Sequence, residues 1–462
     1  VTRFKEAMMT LKPDWTALGQ ETTQMLSELL QIDTTNPPGD EYKAIEYLQK
    51  KLQKEKIETE ILAKEPKRAN LIARLKGKRP GKKLLLLSHV DVVPVTDPKR
   101  WKYPPFSGAI AEGCVWGRGA LDMKCMTAME FMVMALFQRA RLDFAGELIL
   151  VAAADEEKGS VYGAEWLCKT YPDKLRADWA LNEGGGLPVQ IGNKIFYTIN
   201  SIEKGLWWFK VRVKGSSGHG SIPHANNALS KSAYIIDRTA RYKFPKKIAP
   251  AVREFILRAG EALGPEMHKL ALVLVDETKE LDLPQFPPNS PVSAQLLNAL
   301  VRTTISPTMI HASVKENVIP DSCEFVLDCR LVPGYTRERV QETLLELAGE
   351  YKNDLEIETI NAHDVSGSPI DDRFYKLIEE TIRAEVPGAG TIPLMLTGAT
   401  DSRFVRELGV KAYGFCPMST KMNLADRERL IHNDNERIDV ESLELGVRVL
   451  AKIAMKALDA KL

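Results

Sequence analysis

The sequence predicts an α/β protein whose mostly parallel sheet is interrupted by an inserted α+β domain with an antiparallel sheet. Three observations carry this. Short apolar runs suited to buried strands alternate with helical patterns in the first 200 residues and again after residue 363. Between them the texture changes: residues 206–213 alternate as a half-exposed strand does, and residues 309–314 and 323–331 read as paired strands. At 462 residues the chain also exceeds the ~250–300 that one core holds. The expected division is 1–200 with 363–462 as a discontinuous first domain, and 201–362 as the insertion.

Taken in order, residues 16–30 repeat apolar positions at helical spacing and stop before Asp33-Thr34-Thr35-Asn36-Pro37-Pro38-Gly39, which is loop chemistry. Residues 41–56 predict a second helix, and 57–62 and 70–75 two strands. Leu84-Leu85-Leu86-Leu87 is wholly apolar, as a strand buried on both faces is, and runs into Ser88-His89-Val90-Asp91. Residues 111–116 predict a short strand, Gly117-Arg118-Gly119 a tight turn, and 122–139 a long helix whose methionines are core packing. A strand at 147–154 ends in Asp155-Glu156-Glu157; a helix at 161–170 and a strand at 179–181 follow. In the insertion, a helix at 227–242 precedes residues 243–299, a proline-containing stretch of short helices and loops. A helix at 336–351 and a strand at 355–359 complete it. A helix at 372–384, a loop at 397–403, a strand at 410–415 and a final helix at 440–458, capped by Asp439, return to the first pattern. No internal repeat or low-complexity segment interrupts this order.

Composition narrows the function. A net charge of +1 without blocks of like charge argues against nucleic acid or an anionic membrane as partner. No apolar run approaches the ~20 residues of a membrane helix, and residues 1–15 lack a signal-peptide core. The six cysteines form no Cys-x-x-Cys pair, so free thiols and a cytoplasmic location are expected.

Four polar clusters fall where strands are predicted to end: His89 with Asp91, Asp122, Glu156-Glu157, and Glu183. His432 can join them. Singly, each has a bland account. Asp122 fits a helix N-cap, Glu156-Glu157 a solvated turn, Glu183 a loop acid, and His432 an exposed histidine. Together they supply two imidazoles and several carboxylates, a donor set suited to a divalent ion such as zinc. A dinuclear site needs a bridging carboxylate, terminal ligands on each side and an uncoordinated base. His89, Asp122, Glu157, Glu183 and His432 fill the ligand roles and leave Glu156 over. Asp91, two residues beyond His89, can orient its ring.

With these motifs in hand, the chain resembles the M20 family of dinuclear zinc amidohydrolases and peptidases over nearly its whole length. The resemblance rests on Ser88-His89-Val90-Asp91, Gly117-Arg118-Gly119-Ala120-Leu121-Asp122-Met123-Lys124, Asp155-Glu156-Glu157, Asn182-Glu183-Gly184, Gly218-His219-Gly220-Ser221 with His224, and His432 with Asn435-Glu436, in family order. It implies a zinc-exopeptidase-like catalytic domain with a lid and dimerisation domain inserted. Asp122 would bridge two ions, Glu157 and His432 would hold one, His89 and Glu183 the other, and cobalt or manganese could replace zinc. Glu156 would be general base and then general acid, and the peptide after Asp122 would be cis. His219 would reach the partner subunit's site in a homodimer, and Asn317 and Arg330 would grip the substrate. A strand-face ion pair is the bland account of Arg330. Glu183 favours an acylase or carboxypeptidase, because family aminopeptidases more often have Asp there, and residues 397–403 look closer to aminoacylase-type members than to the desuccinylase. The implied substrate is an N-acyl amino acid or a peptide with a free carboxylate. Dipeptidase, desuccinylase and carbamoyl-cleaving members are the alternatives within the family, and a catalytically silent binding protein the alternative outside it. The 243–299 stretch makes the inserted domain longer than in small members.

Overall fold

The computed structural model describes residues 13–280, 294–313, 315–421, 427 and 429–461. The first twelve residues, residues 281–293 of the long stretch in the insertion, and Val314 at the end of a predicted strand lie outside the described residues. The chain forms two compact units. One comprises residues 1–201, 367–394 and 400–462; the other comprises 202–366 with 395–399. The second unit therefore takes back a five-residue piece, 395–399, which overlaps the start of the loop expected at 397–403.

The first unit is built on a mixed ten-stranded sheet whose centre is parallel. Arg79–His89 lies between Ala145–Ala153 and Trp179–Asn182 and runs parallel to both, with Lys411–Gly414 parallel on the far side of Trp179–Asn182. The four leucines are fully buried because helices cover both faces of this centre. Leu84 and Leu86 join the core formed by the helices Trp15–Leu30, Lys124–Arg139 and Val440–Ala457, while Leu85 and Leu87 join a second core under Ala164–Thr170 and Ser402–Glu407. Gly446 lets the helices Val440–Ala457 and Lys124–Arg139 come together, since a Cβ there would lie 2.3 Å from Met129 Sδ.

Several expectations needed adjustment. Residues 109–116 form a hairpin, Ala109–Ala111 and Cys114–Trp116, turning through Glu112 (φ 55°) and Gly113 (φ 72°), both left-handed. The long helix begins at Lys124, so Asp122 precedes it. The strands Lys194–Glu203 and Gly390–Leu396 were not anticipated.

The second unit carries a four-stranded sheet in the order Thr304–His311, Ser322–Leu331, Gly205–Lys214, Leu355–His363, all antiparallel. Ser322–Leu331 alternates strictly between buried and half-buried residues. Its buried side packs beneath Ala228–Arg241 and Arg337–Ala348, and the other side carries Asp328 and Arg330. Residues 243–280 and 294–301 add the helices Pro250–Ala262, Pro265–Leu274 and Ala294–Val301. Among the described residues no helix is long and apolar enough to cross a membrane. None of the six cysteines forms a disulfide.

Candidate active site

The site lies in the first unit, where three neighbouring parallel strands end at their carboxyl edges, the place open α/β sheets reserve for ligands. His89 is the last residue of its strand and sits beside Ala153 of the next. The strand stops there, so Asp91 is placed by hydrogen bonds rather than by strand alternation. Asp91 is fully buried. Its Oδ1 lies 3.4 Å from His89 Nδ1 and accepts the Glu156 amide at 3.1 Å, while its Oδ2 accepts the Glu157 amide at 3.2 Å and Asn36 Nδ2 at 2.9 Å. The Asp91 carbonyl oxygen, 3.1 Å from His89 Nδ1, aims the imidazole together with the carboxylate, and the carboxylate anchors the turn that carries the two glutamates. Burial alone would raise such an acid; the His89 hydrogen bond holds Asp91 below its ordinary value.

That turn is supported from beneath. Asp155 adopts φ 67°, and its Oδ1 accepts Asn36 at 2.9 Å and Arg68 at 2.7 Å. Arg68 also forks onto Glu41 at 2.8 and 2.7 Å. All of these residues are buried, so removing one would leave an uncompensated charge. Asp155 was read from the sequence within Asp155-Glu156-Glu157; Asn36, Glu41 and Arg68 were not singled out. Their only signal is polarity in otherwise apolar or loop surroundings.

Asp122 sits in the turn ahead of Lys124–Arg139, and its peptide bond to Met123 is cis. Glu436 holds this turn. Its Oε1 accepts the Leu121 amide at 2.7 Å and the Asp122 amide at 3.1 Å, while its Oε2 accepts Arg118 Nη1 at 2.7 Å and the Gly119 amide at 3.1 Å. Glu183 follows the strand Trp179–Asn182, whose neighbour approaches so closely that a Cβ on Gly414 would lie 2.0 Å from the Glu183 carbonyl oxygen.

These turns bring five of the expected residues together. His89 Nε2 is 3.2 Å from Asp122 Oδ1 and 3.8 Å from Glu183 Oε1. His432 Nε2 is 3.3 Å from Asp122 Oδ2 and 3.4 Å from Glu157 Oε1. The result is two sets of three donors, His89/Asp122/Glu183 and Asp122/Glu157/His432, sharing one aspartate. The donor set fits a pair of divalent ions. Bonds of ~2.0–2.1 Å to a tetrahedral ion put neighbouring donors roughly 3.3–3.4 Å apart, close to three of the four separations. Glu157 Oε1 is buried without a hydrogen-bond partner among the described residues, as a donor reserved for a cation is.

The electrostatics agree with a site short of positive charge. Burial, then the Asp122 charge, pushes Glu183 well up; burial, then Glu183, does the same to Glu156. Against the same burial, hydrogen bonds from His432 and His89 hold Asp122 down. The neighbouring Asp122 and Glu157 carboxylates push His432 up to about 10, so protons on imidazole supply charge that bound cations would otherwise bring.

Of the remaining expected residues, Asp91 and Glu156 lie in the first unit, and His219, Asn317 and Arg330 belong to the second. His219 is exposed on the short strand Gly218–His219, paired with Val318–Ile319, and its Nδ1 lies 2.7 Å from Ser221 Oγ. The Gly220 amide donates to the Asn317 carbonyl at 2.8 Å, which sets Asn317 close to His219. Arg330 pairs with Asp328 at 2.7 and 3.2 Å and donates to the Thr397 carbonyl at 3.3 Å. The strand-face ion pair is therefore present.

Residues 85–456 match the sequence model of Peptidase family M20/M25/M40. The chain is 28% identical over 388 residues to the Homo sapiens N-fatty-acyl-amino acid synthase/hydrolase PM20D1, covering 81% of this chain and 74% of that protein. It is 24% identical over 438 residues to Sus scrofa aminoacylase-1, covering 93% and 94%. Its fold is similar to that of an M20 family metallo-carboxypeptidase from Sulfolobus solfataricus, with a TM-score of 0.70 at 20% identity, covering 94% and 98%. With the match spanning most of the chain and the paired donor sets inside it, the chain belongs to peptidase family M20/M25/M40 and is a hydrolase of amide bonds.

Proposed function

We propose that the protein hydrolyses the amide bond of N-acyl amino acids, or of short peptides with a free carboxylate, using two zinc ions held by His89, Asp122, Glu157, Glu183 and His432. The observation that carries this is the Asp122 carboxylate, whose two oxygens face different histidines. Two such ions lower the pKa of water and polarise a carbonyl. The chain's own residues do the rest. Asp91 fixes the His89 ring and the Glu156–Glu157 turn. Glu156 is not among the grouped donors and is free to take a proton from the attacking water and deliver it to the leaving amine. Its raised proton affinity suits both tasks.

The acyl-amino-acid reading is supported by the names of the relatives, an N-fatty-acyl-amino acid hydrolase and an aminoacylase, and by Glu183 in place of Asp. Arg330 is proposed to hold the substrate carboxylate by exchanging its Asp328 partner, with Asn317 alongside the scissile group. His219 is proposed to stabilise the developing oxyanion. It acts on the site of a second copy, in a homodimer formed through the second unit as lid. The exposed Met309 and Ile310 on the edge strand Thr304–His311 suit such an interface. The free thiols favour a reducing compartment such as the cytoplasm.

The test is to load the purified protein with zinc and screen N-acyl amino acids and dipeptides, detecting released amine with ninhydrin. Amine release that is abolished by chelation and restored by zinc is the expected outcome. Turnover of dipeptides alone would move the reading to a dipeptidase, and turnover of neither would refute it.

A further inference from the structure

Behind the turn that carries Glu156 and Glu157 stands a second carboxylate, Asp401. It precedes the helix Ser402–Glu407 but makes no side-chain cap to it. It is 2% exposed. Its Oδ1 accepts the Ser160 hydroxyl, and its Oδ2 has no hydrogen-bond partner among the described residues. Ser160 is fully buried in a left-handed conformation, φ 66°. Its amide donates to the Asp155 carbonyl at 2.6 Å and its carbonyl accepts the Gly163 amide at 2.9 Å. Ser160 therefore closes the loop from Asp155 that presents both glutamates. Besides the support beneath Asp155, the loop is held at two places: Asp91 takes the Glu156 and Glu157 amides, and Asp401 takes the Ser160 hydroxyl.

A buried carboxylate with one oxygen unmatched weakens a fold, and an apolar residue of similar volume would fill the same space without that penalty. Burial pushes Asp401 up to about 6, which is the same cost seen from its proton. The Ser160 hydroxyl is the largest return, ahead of the more distant charges of Arg403 and His89. We propose that Asp401 is a positioning residue: through Ser160 it fixes the loop so that Glu157 reaches its ion and Glu156 reaches the reacting water. This rests on the reading of Glu157 as ligand and Glu156 as base.

The test compares Asp401→Ala, Asp401→Asn, Ser160→Ala and the double variant Ser160→Ala/Asp401→Ala in the full chain. Three quantities are read: amide hydrogen exchange of residues 155–163 in the metal-free protein, zinc bound per chain after dialysis, and kcat and KM of the zinc-loaded protein. Asp401→Ala and Ser160→Ala should each speed exchange at residues 156–160 and lower zinc from two toward one per chain. Each should also lower kcat roughly ten-fold or more with KM little changed, as loss of one charge-assisted hydrogen bond implies. Asp401→Asn keeps an acceptor for Ser160 and should restore most of all three. The double variant should be no worse than Asp401→Ala, because the two residues act as a unit. Wild-type exchange and two zinc ions in Asp401→Ala, or additive losses in the double variant, would overturn the proposal. Should Asp401→Ala fail to fold, undisturbed exchange in Ser160→Ala overturns it equally. If the wild type itself binds fewer than two zinc ions, the metal reading fails, and the exchange comparison alone decides the role of Asp401.

Discussion

Replacing Glu436 by Gln changes one atom of a fully buried side chain, yet it should be among the more damaging substitutions in the first unit. The carboxylate accepts four hydrogen bonds, two on each oxygen, from Arg118 and from the amides of Gly119, Leu121 and Asp122. A glutamine has one acceptor oxygen, and whichever way the amide is turned its NH2 faces two donors. The Arg118 charge, 3% exposed, also loses its counter-ion. Two charge-assisted bonds at ~1.5–3 kcal/mol each agree with the ~3–5 kcal/mol typical of breaking one side of a buried ion pair. For a unit of this size that is a fall in Tm of roughly 6–10 °C. The measurement is calorimetric unfolding of the metal-free protein, so that ion binding does not mask the change. A zinc titration should show weaker binding as well, because the amide of Asp122, the proposed shared ligand, is released. A Glu436→Gln protein that unfolds within about 1 kcal/mol of wild type and binds zinc unchanged would refute the argument that this carboxylate builds the Asp122 turn.

Other consequences are equally direct. Glu156→Gln should keep both ions and lose turnover by ~10²–10⁴-fold, as loss of a general base does; loss of metal in elemental analysis would instead exchange the roles of Glu156 and Glu157. Mixing His219→Ala with Glu156→Gln, each inactive alone, under subunit exchange should restore about one quarter of wild-type activity, since roughly half the dimers are mixed and each has one intact site. No recovery despite proven exchange would place His219 within its own chain or outside catalysis. Glu28, though partly buried, is held down to about 2 by hydrogen bonds from Lys51, Tyr47 and Gln24. Its stabilising contribution is present above the unfolded value near 4.5 and is lost as pH falls from there through about 2. Solvent screening limits it to less than about 1 kcal/mol, so Glu28→Gln should lose part of the wild type's acid sensitivity in that interval, read as Tm against pH. An unchanged slope would mean that the Lys51 pairing contributes nothing.

The parts of this structure that could be read from sequence were those with local signals. Leu84–Leu87 is unambiguous because a parallel strand covered on both faces needs an unbroken apolar run. His89, Asp122, Glu157, Glu183 and His432 were found because their residue types are chemically unusual at strand ends and recur together. Asn36, Arg68, Glu41 and Asp401 had no such signal. Asn36 matters because it meets Asp91 and Asp155, positions 55 and 119 residues away, and nothing in an Asn-Pro loop announces that. The strand Lys194–Glu203 is a different kind of omission. Its Ile195-Phe196-Tyr197-Thr198-Ile199 core is rich in aromatic and β-branched residues and was legible. The hairpin at 109–116 was likewise signalled by Glu112-Gly113, whose glycine suits a left-handed turn.

The dependence of the Asp122 turn on Glu436 also bears on how the protein is made. Glu183, the last donor of the first group, leaves the ribosome about 250 residues before His432 and Glu436, with the whole second unit in between. At ~5–20 residues per second, roughly ten to fifty seconds of synthesis separate them. During that interval Arg118 and the Asp122 loop have no counter-charge and one donor set lacks its histidine. On the proposed reading of the site, a nascent or truncated chain would be no slower version of the enzyme but an inert one, and its loading with metal would follow translation.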